Sequence, residues 1–215
     1  MSKKNLSREN YCIISFWVIH ISGALGLLSA WSDLFLMLTP VNLLTSYILL
    51  TSSKSKLMHE SVFFVTLLSF VVGYLVEYLG VNYGLIFGDY NYGANLGSKL
   101  FEVPIIIGLN WAILVLITYS ISIRITNQKI LTPLLGAILM VLLDVIIEQV
   151  ADSMDFWYWV GDVIPIQNYI GWFVVALVLH AITFIIKPIV SYKKSLHLYL
   201  AQATFFLIAV VFYGN

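Results

Sequence analysis

A chain of 215 residues in which 60% are hydrophobic and only 10% charged is not a soluble domain, which carries roughly 25% charged residues. Basic and acidic residues balance at eleven each, and no basic tail or patch points to nucleic acid. The single cysteine, Cys12, excludes an intrachain disulfide and a cysteine-based metal cluster.

The composition therefore describes an integral membrane protein, one domain over residues 1–215. Its expected class is all-α, a polytopic transmembrane helical bundle. Seven apolar runs stand out, at 11–31, 33–52, 60–81, 102–124, 130–150, 168–187 and 195–213. Each is about the 20 residues that a helix needs to cross the hydrocarbon. The first follows Lys3, Lys4 and Arg8, like a signal-peptide start, but it is too long for one and is read as a first span. Asp33 is placed to begin the second span as a cap, and Pro40 to kink it. Cationic residues then orient the bundle. Lys3, Lys4 and Arg8, Lys54 and Lys56, Arg124 and Lys129, and Lys187, Lys193 and Lys194 all fall in alternate connections; only Lys99 lies on the other side. The expected topology is seven spans, N-terminus inside and C-terminus outside, in a multi-pass protein of a bacterial or archaeal cell membrane.

The acids gather at the opposite, outer end. Asp144, Glu148 and Asp152 recur every four residues, so on a continuous helix they form one stripe. Glu77 lies near the outer end of the third span. A charge inside a span costs about 3 kcal/mol or more, and such residues face the bundle interior and mark function by default. No basic residue is close enough in sequence to pair with them. Neighbouring acids in such surroundings share protons, which sets a proton donor beside a base. The plainer alternative is that Asp144 and Glu148 bond across helices and only hold them together. Asp152 and Asp155 have the simpler reading of solvated loop residues.

Two outer connections are long and rich in aromatics and glycine. Gly80–Pro104 reads GVNYGLIFGDYNYGANLGSKLFEVP, and Ala151–Trp172 reads ADSMDFWYWVGDVIPIQNYIGW. An interfacial aromatic belt explains single residues of this kind. It explains less well why both loops fall where the acids are.

Several chemistries lack their residues. His20, His59, His180 and His197 include no pair three or four apart, so the histidine clusters of membrane iron enzymes are missing. The last span holds no Lys for a retinal Schiff base. No nucleophile elbow, phosphate loop or dinucleotide fingerprint occurs. No metal and no cofactor is expected. What remains is acid–base work on an apolar substrate, or movement of ions or protons.

Five segments, in order, carry a resemblance. They are EYLGVNYGLIFGDYNYG (Glu77–Gly93), VP (Val103–Pro104), DVIIE (Asp144–Glu148), DFWYW (Asp155–Trp159) and IPIQNYIGW (Ile164–Trp172). Together, over about residues 70–180, they resemble the membrane carotenoid 1,2-hydratases, such as bisanhydrobacterioruberin hydratase and other carotenoid biosynthesis proteins of that type. One departure is Gln149, where the family pattern has Pro. The resemblance implies a lyase that adds water across the terminal C=C of an acyclic carotenoid end group, giving a tertiary alcohol. It implies a lycopene-like, monocyclic or C50 acyclic carotenoid that enters from the lipid. On that reading Glu77, Asp144 and Glu148 form the acid–base centre, with donor and base not ranked. Asp89, Tyr90, Tyr92 and Asn168 would orient water or substrate, and Trp157, Trp159 and Trp172 would line the end-group pocket. Two other readings use the same buried acids: another carbocation enzyme, such as a cyclase or isomerase, and a proton-coupled transporter.

Overall fold

The structure is a computed structural model that describes residues 7–52 and 56–214, with the side chains of 56–59 left aside. Lys3, Lys4 and Lys54 of the charge pattern lie outside the described residues, as do the side chains of Lys56 and His59. The elements in order are Arg8–Leu27 (α1), Ser32–Met37 (α2), Thr39–Thr51 (α3), Lys56–Tyr83 (α4), Tyr90–Tyr92 (β1), Lys99–Leu100 (β2) and Val103–Pro104 (β3). They continue with Ile105–Ile125 (α5), Leu131–Glu148 (α6), Trp157–Trp159 (β4), Ile166–Ile186 (α7) and Tyr192–Tyr213 (α8). The protein is an all-α polytopic bundle.

Among the described residues, six helices are long and apolar enough to cross a membrane: α1, α5, α6, α7, α8 and the Glu60–Tyr83 part of α4. The expected span at 33–52 is instead the broken pair α2 and α3. Pro40 has no N–H to give to the carbonyl four residues earlier. That carbonyl, Leu36 O, accepts from the Thr39 hydroxyl at 2.7 Å instead.

α5 is apolar on every side and forms the axis of the bundle, as a helix without a polar face must. Trp111 through Ser122 are all buried. α3, α4, α6, α7 and α8 pack around it, while α1 lies against α8. The outer helices turn large apolar side chains outward, among them Phe63, Phe64 and Leu67 on α4 and Val174 and Val178 on α7, which is the surface that lipid requires.

Polar locks hold the bundle at two levels. Lys194, buried in the first turn of α8, reaches the end of α3. Its Nζ donates to Leu49 O at 2.8 Å, Leu50 O at 3.0 Å and Ser52 O at 2.8 Å. A cation there satisfies carbonyls that a helix end leaves free. Nearby, the Ser191 hydroxyl donates to Glu9 Oε1 at 2.5 Å. Deeper, His180 is fully buried and joins α7 to α5 through Thr118 Oγ1 at 2.8 Å. Gly136 of α6 makes room for this imidazole: a Cβ there would stand 2.1 Å from His180 Cδ2.

At the other end, two connections separated by α5 and α6 join into one antiparallel ribbon. β1 pairs with β4 in the register Tyr90 with Trp159, Asn91 with Tyr158 and Tyr92 with Trp157. The pairing continues past both strands, through Val160 N to Asp89 O at 3.0 Å and Gly93 N to Phe156 O at 2.8 Å. Asp155 turns the chain at a φ of 52°, and its carboxylate accepts from Ala94 N at 2.9 Å. β2 and β3 form a separate small hairpin leading into α5.

Replacing Gly136 with Ala tests the α5–α6–α7 packing. Helix propensity alone favours Ala by about 1 kcal/mol. The clash with the anchored His180 ring reverses that sign, with an expected net loss of about 1–3 kcal/mol, seen as a lower unfolding temperature of the purified protein in detergent.

Candidate active site

Successive side chains of a strand point to opposite faces. In the ribbon this puts Tyr90 and Tyr92 of β1 on the same face as Trp157 and Trp159 of β4, and that face looks into the bundle. Four ring donors thus come from two loops that touch nowhere in sequence. They meet three buried carboxylates: Glu77 on α4, 3% exposed, and Asp144 and Glu148 on α6, 2% and 7% exposed.

Glu77 is saturated by neutral donors. Its Oε2 accepts from the Tyr90 hydroxyl and from the Tyr92 hydroxyl, the latter at 2.7 Å. Its Oε1 accepts from Trp111 Nε1 at 2.9 Å. Burial first, and then the Glu77 carboxylate, hold both ribbon phenols above the usual tyrosine range, so they stay protonated and donate. Gly73 makes the Trp111 contact possible. It stands one turn before Glu77 on the same helix face, and a Cβ there would fall 2.3 Å from the indole Cγ.

Glu148 is held similarly. Oε2 accepts from Trp159 Nε1 at 2.8 Å and Trp157 Nε1 at 3.2 Å, and Oε1 accepts from Asn168 Nδ2 at 2.9 Å. Asn168 sits in the first turn of α7 and also donates to Asp144 Oδ2, at 3.3 Å. That is the one hydrogen bond to the Asp144 carboxyl among the described residues. The three acids therefore differ: Glu77 and Glu148 each receive three donors, and Asp144 receives a single long one.

The acids line a cavity of about 30 Å³, walled also by Phe87, Ile107, Asn110, Leu114, Ile147 and Trp172. That volume suits a water molecule or two. Trp172 stacks on Trp111 with ring centroids 4.2 Å apart, and Phe87 sits 6.2 Å from Trp172. Tyr90 packs on Trp159 at 5.1 Å. Aromatic faces close the cavity while aromatic edges bind the carboxylates.

The structure gathers Glu77, Tyr90, Tyr92, Asp144, Glu148, Trp157, Trp159, Asn168 and Trp172 around this cavity. Asp89 is the exception. It is exposed and absent from the lining, and its part in the ribbon is played by its backbone carbonyl. Asp152 is the solvated loop residue that its simpler reading expects: α6 ends at Glu148, Gln149 is its C-cap, and Asp152 is exposed in the turns that follow. Trp111 and Asn110 belong to the site but were not singled out in the sequence. Their signal was an Asn–Trp pair inside an otherwise apolar span.

A family model described as carotenoid biosynthesis protein matches residues 34–214. The match covers most of the chain, which belongs to this family. It also extends well beyond residues 70–180, where the recognisable segments lie, and takes in α3 and α8. No curated protein and no solved structure matches the chain.

The Glu77 shell can be weighed by exchanging one indole. Trp111→Phe keeps a ring on Trp172 but removes a donor from a buried carboxylate, an expected loss of about 1–3 kcal/mol. Trp172→Phe, which removes no hydrogen bond to an acid, should cost less. Thermal unfolding of both variants in detergent makes the comparison.

Proposed function

We propose that this member of the carotenoid biosynthesis family is a carotenoid 1,2-hydratase, acting on the end group of an acyclic carotenoid. The observation that carries this reading is the unequal hydrogen bonding of three buried acids around a water-sized, aromatic-walled cavity. A carboxylate is an acceptor only, and three donors suit the charged form of Glu77 and of Glu148. Asp144, with one long bond, is the group best suited to keep a proton and give it away.

The reaction is R–CH=C(CH3)2 plus water giving R–CH2–C(OH)(CH3)2. Asp144 delivers its proton to the less substituted carbon of the double bond. The π electrons form the new C–H bond, and the positive charge falls on the tertiary carbon. Asp144 is left as a carboxylate. Glu77 and Glu148 supply negative charge facing the cation, which is where pre-set electrostatics lowers a barrier most. The aromatic walls add about 0.5–2 kcal/mol each where a ring face meets the cation. Water attacks the tertiary carbon and passes a proton to Glu148. Return of that proton to Asp144 restores the starting state. Asn168 bridges the two α6 acids and would hold them in register through this exchange. The cycle balances without an oxidant or reductant.

A cyclase or isomerase would share the protonation step. The water-sized space beside Asp144 and Glu148 favours hydration over these, because a capturing water has a place next to its base. A transporter would need the acids to continue as a path, and among the described residues the α6 acids stop at Glu148.

Expression in a lycopene-producing bacterial host, with chromatography and mass spectrometry of the pigments, tests the activity directly. A gain of one or two waters as tertiary hydroxyls is expected. Asp144→Asn and Glu148→Gln should each lower product by about 10²–10⁴-fold, while Asp152→Asn leaves it unchanged. Full activity in both acid variants would sink the assignment.

A further inference from the structure

The acid cavity is too small to be a binding site by itself. Ligand pockets usually measure about 300–1,000 Å³, and this one holds about 30 Å³. Two further cavities continue from it in series. A neck of about 50 Å³ shares Ile107, Asn110, Leu114, Ile147 and Trp157 with the acid cavity. The same neck shares Thr39, Leu43, Phe156, Gln202 and Phe206 with a groove of about 240 Å³. That groove lies between α1, the broken pair α2 and α3, and α8. Leu38 and Val41 stand exposed on its rim, where the bundle meets lipid.

We propose that these three spaces form one channel, in which a long, acyclic isoprenoid tail runs from the acid centre, past Leu43 and Gln202, and out to the lipid at Leu38 and Val41. This rests on the proposed action on a carotenoid end group, and it specifies where the rest of the molecule lies. The walls are mainly Leu, Ile, Phe and Trp, as a hydrocarbon tail requires. Their order fits a ligand whose reactive end is narrow and whose body is long. The break between α2 and α3 opens the groove, since both short helices contribute to its wall. Gln202, 5% exposed, lines both neck and groove and so marks where the two spaces join.

The test uses the full chain made in lycopene-producing membranes and purified in detergent. Carotenoid retained per protein, lycopene and hydrated product together, is read from visible absorption, and hydrated product by mass spectrometry. Wild-type protein should retain carotenoid. Leu43→Trp, which fills the junction of neck and groove, should retain at least tenfold less. Leu43→Ala, at the same position, should retain it, with both variants unfolding near the wild-type temperature. If Leu43→Trp does not fold, Val41→Trp at the lipid-facing mouth should give the same loss. Wild-type retention in the Trp variant that folds would overturn the channel, and so would wild-type protein that retains neither lycopene nor its hydrated product. Failure of the hydratase reading looks different: lycopene bound and lost on Leu43→Trp, but no hydrated product from wild type.

Discussion

Three carboxylates buried without a cation among their partners impose the arrangement of everything around them. Each oxygen that carries charge must find a donor, because an unpaired buried acceptor costs about 1–3 kcal/mol and a charged one more. The donors here are neutral: two phenols, three indoles and one amide. A lysine or arginine would satisfy the same oxygens, but it would also pin all three acids in the charged form. Rings satisfy most of the oxygens of Glu77 and Glu148, and Asp144 is left with a single long hydrogen bond.

That requirement explains features distant from the acids themselves. Strand alternation in the ribbon aims four rings from two loops at one cavity, two at Glu77 and two at Glu148. Gly73 exists where a side chain would push the Trp111 indole off Glu77. Asn168, in the first turn of α7, ties that helix to two acids of α6 at once. Rings that donate at their edges also wall the cavity with their faces, so the same residues that hydrogen-bond the acids shape the space beside them.

Much of this was visible in the sequence. The spans are set by length and apolarity, and Asp144 and Glu148 betray themselves by sitting four apart where charge is costly. The crowding of aromatics into two loops was plain, and so was the disruption expected at Pro40. What sequence could not supply was pairing. Nothing local says that Tyr90 lies opposite Trp159, since a strand register across intervening helices is decided by tertiary packing. The four-residue rhythm runs past the end of α6 to Asp152, for which the simpler reading as a solvated loop residue was the right one; a period identifies a face only while the helix lasts. Asp89 looked like Tyr90's neighbour in function, but on a strand adjacent residues point apart. Trp111 was hidden because one Trp in an apolar span reads as packing until its partner on α4 is known.

The ribbon joins a stretch that precedes α5 to one that follows α6. Neither strand has a partner until the intervening helical hairpin is in place and both loops have emerged on the same side. Until then the face that carries Tyr90, Tyr92, Trp157 and Trp159 is not closed over the acids. A chain in which one of α5 and α6 failed to cross would leave the two half-caps on opposite faces of the bilayer, so only a correctly threaded chain can shut the cap.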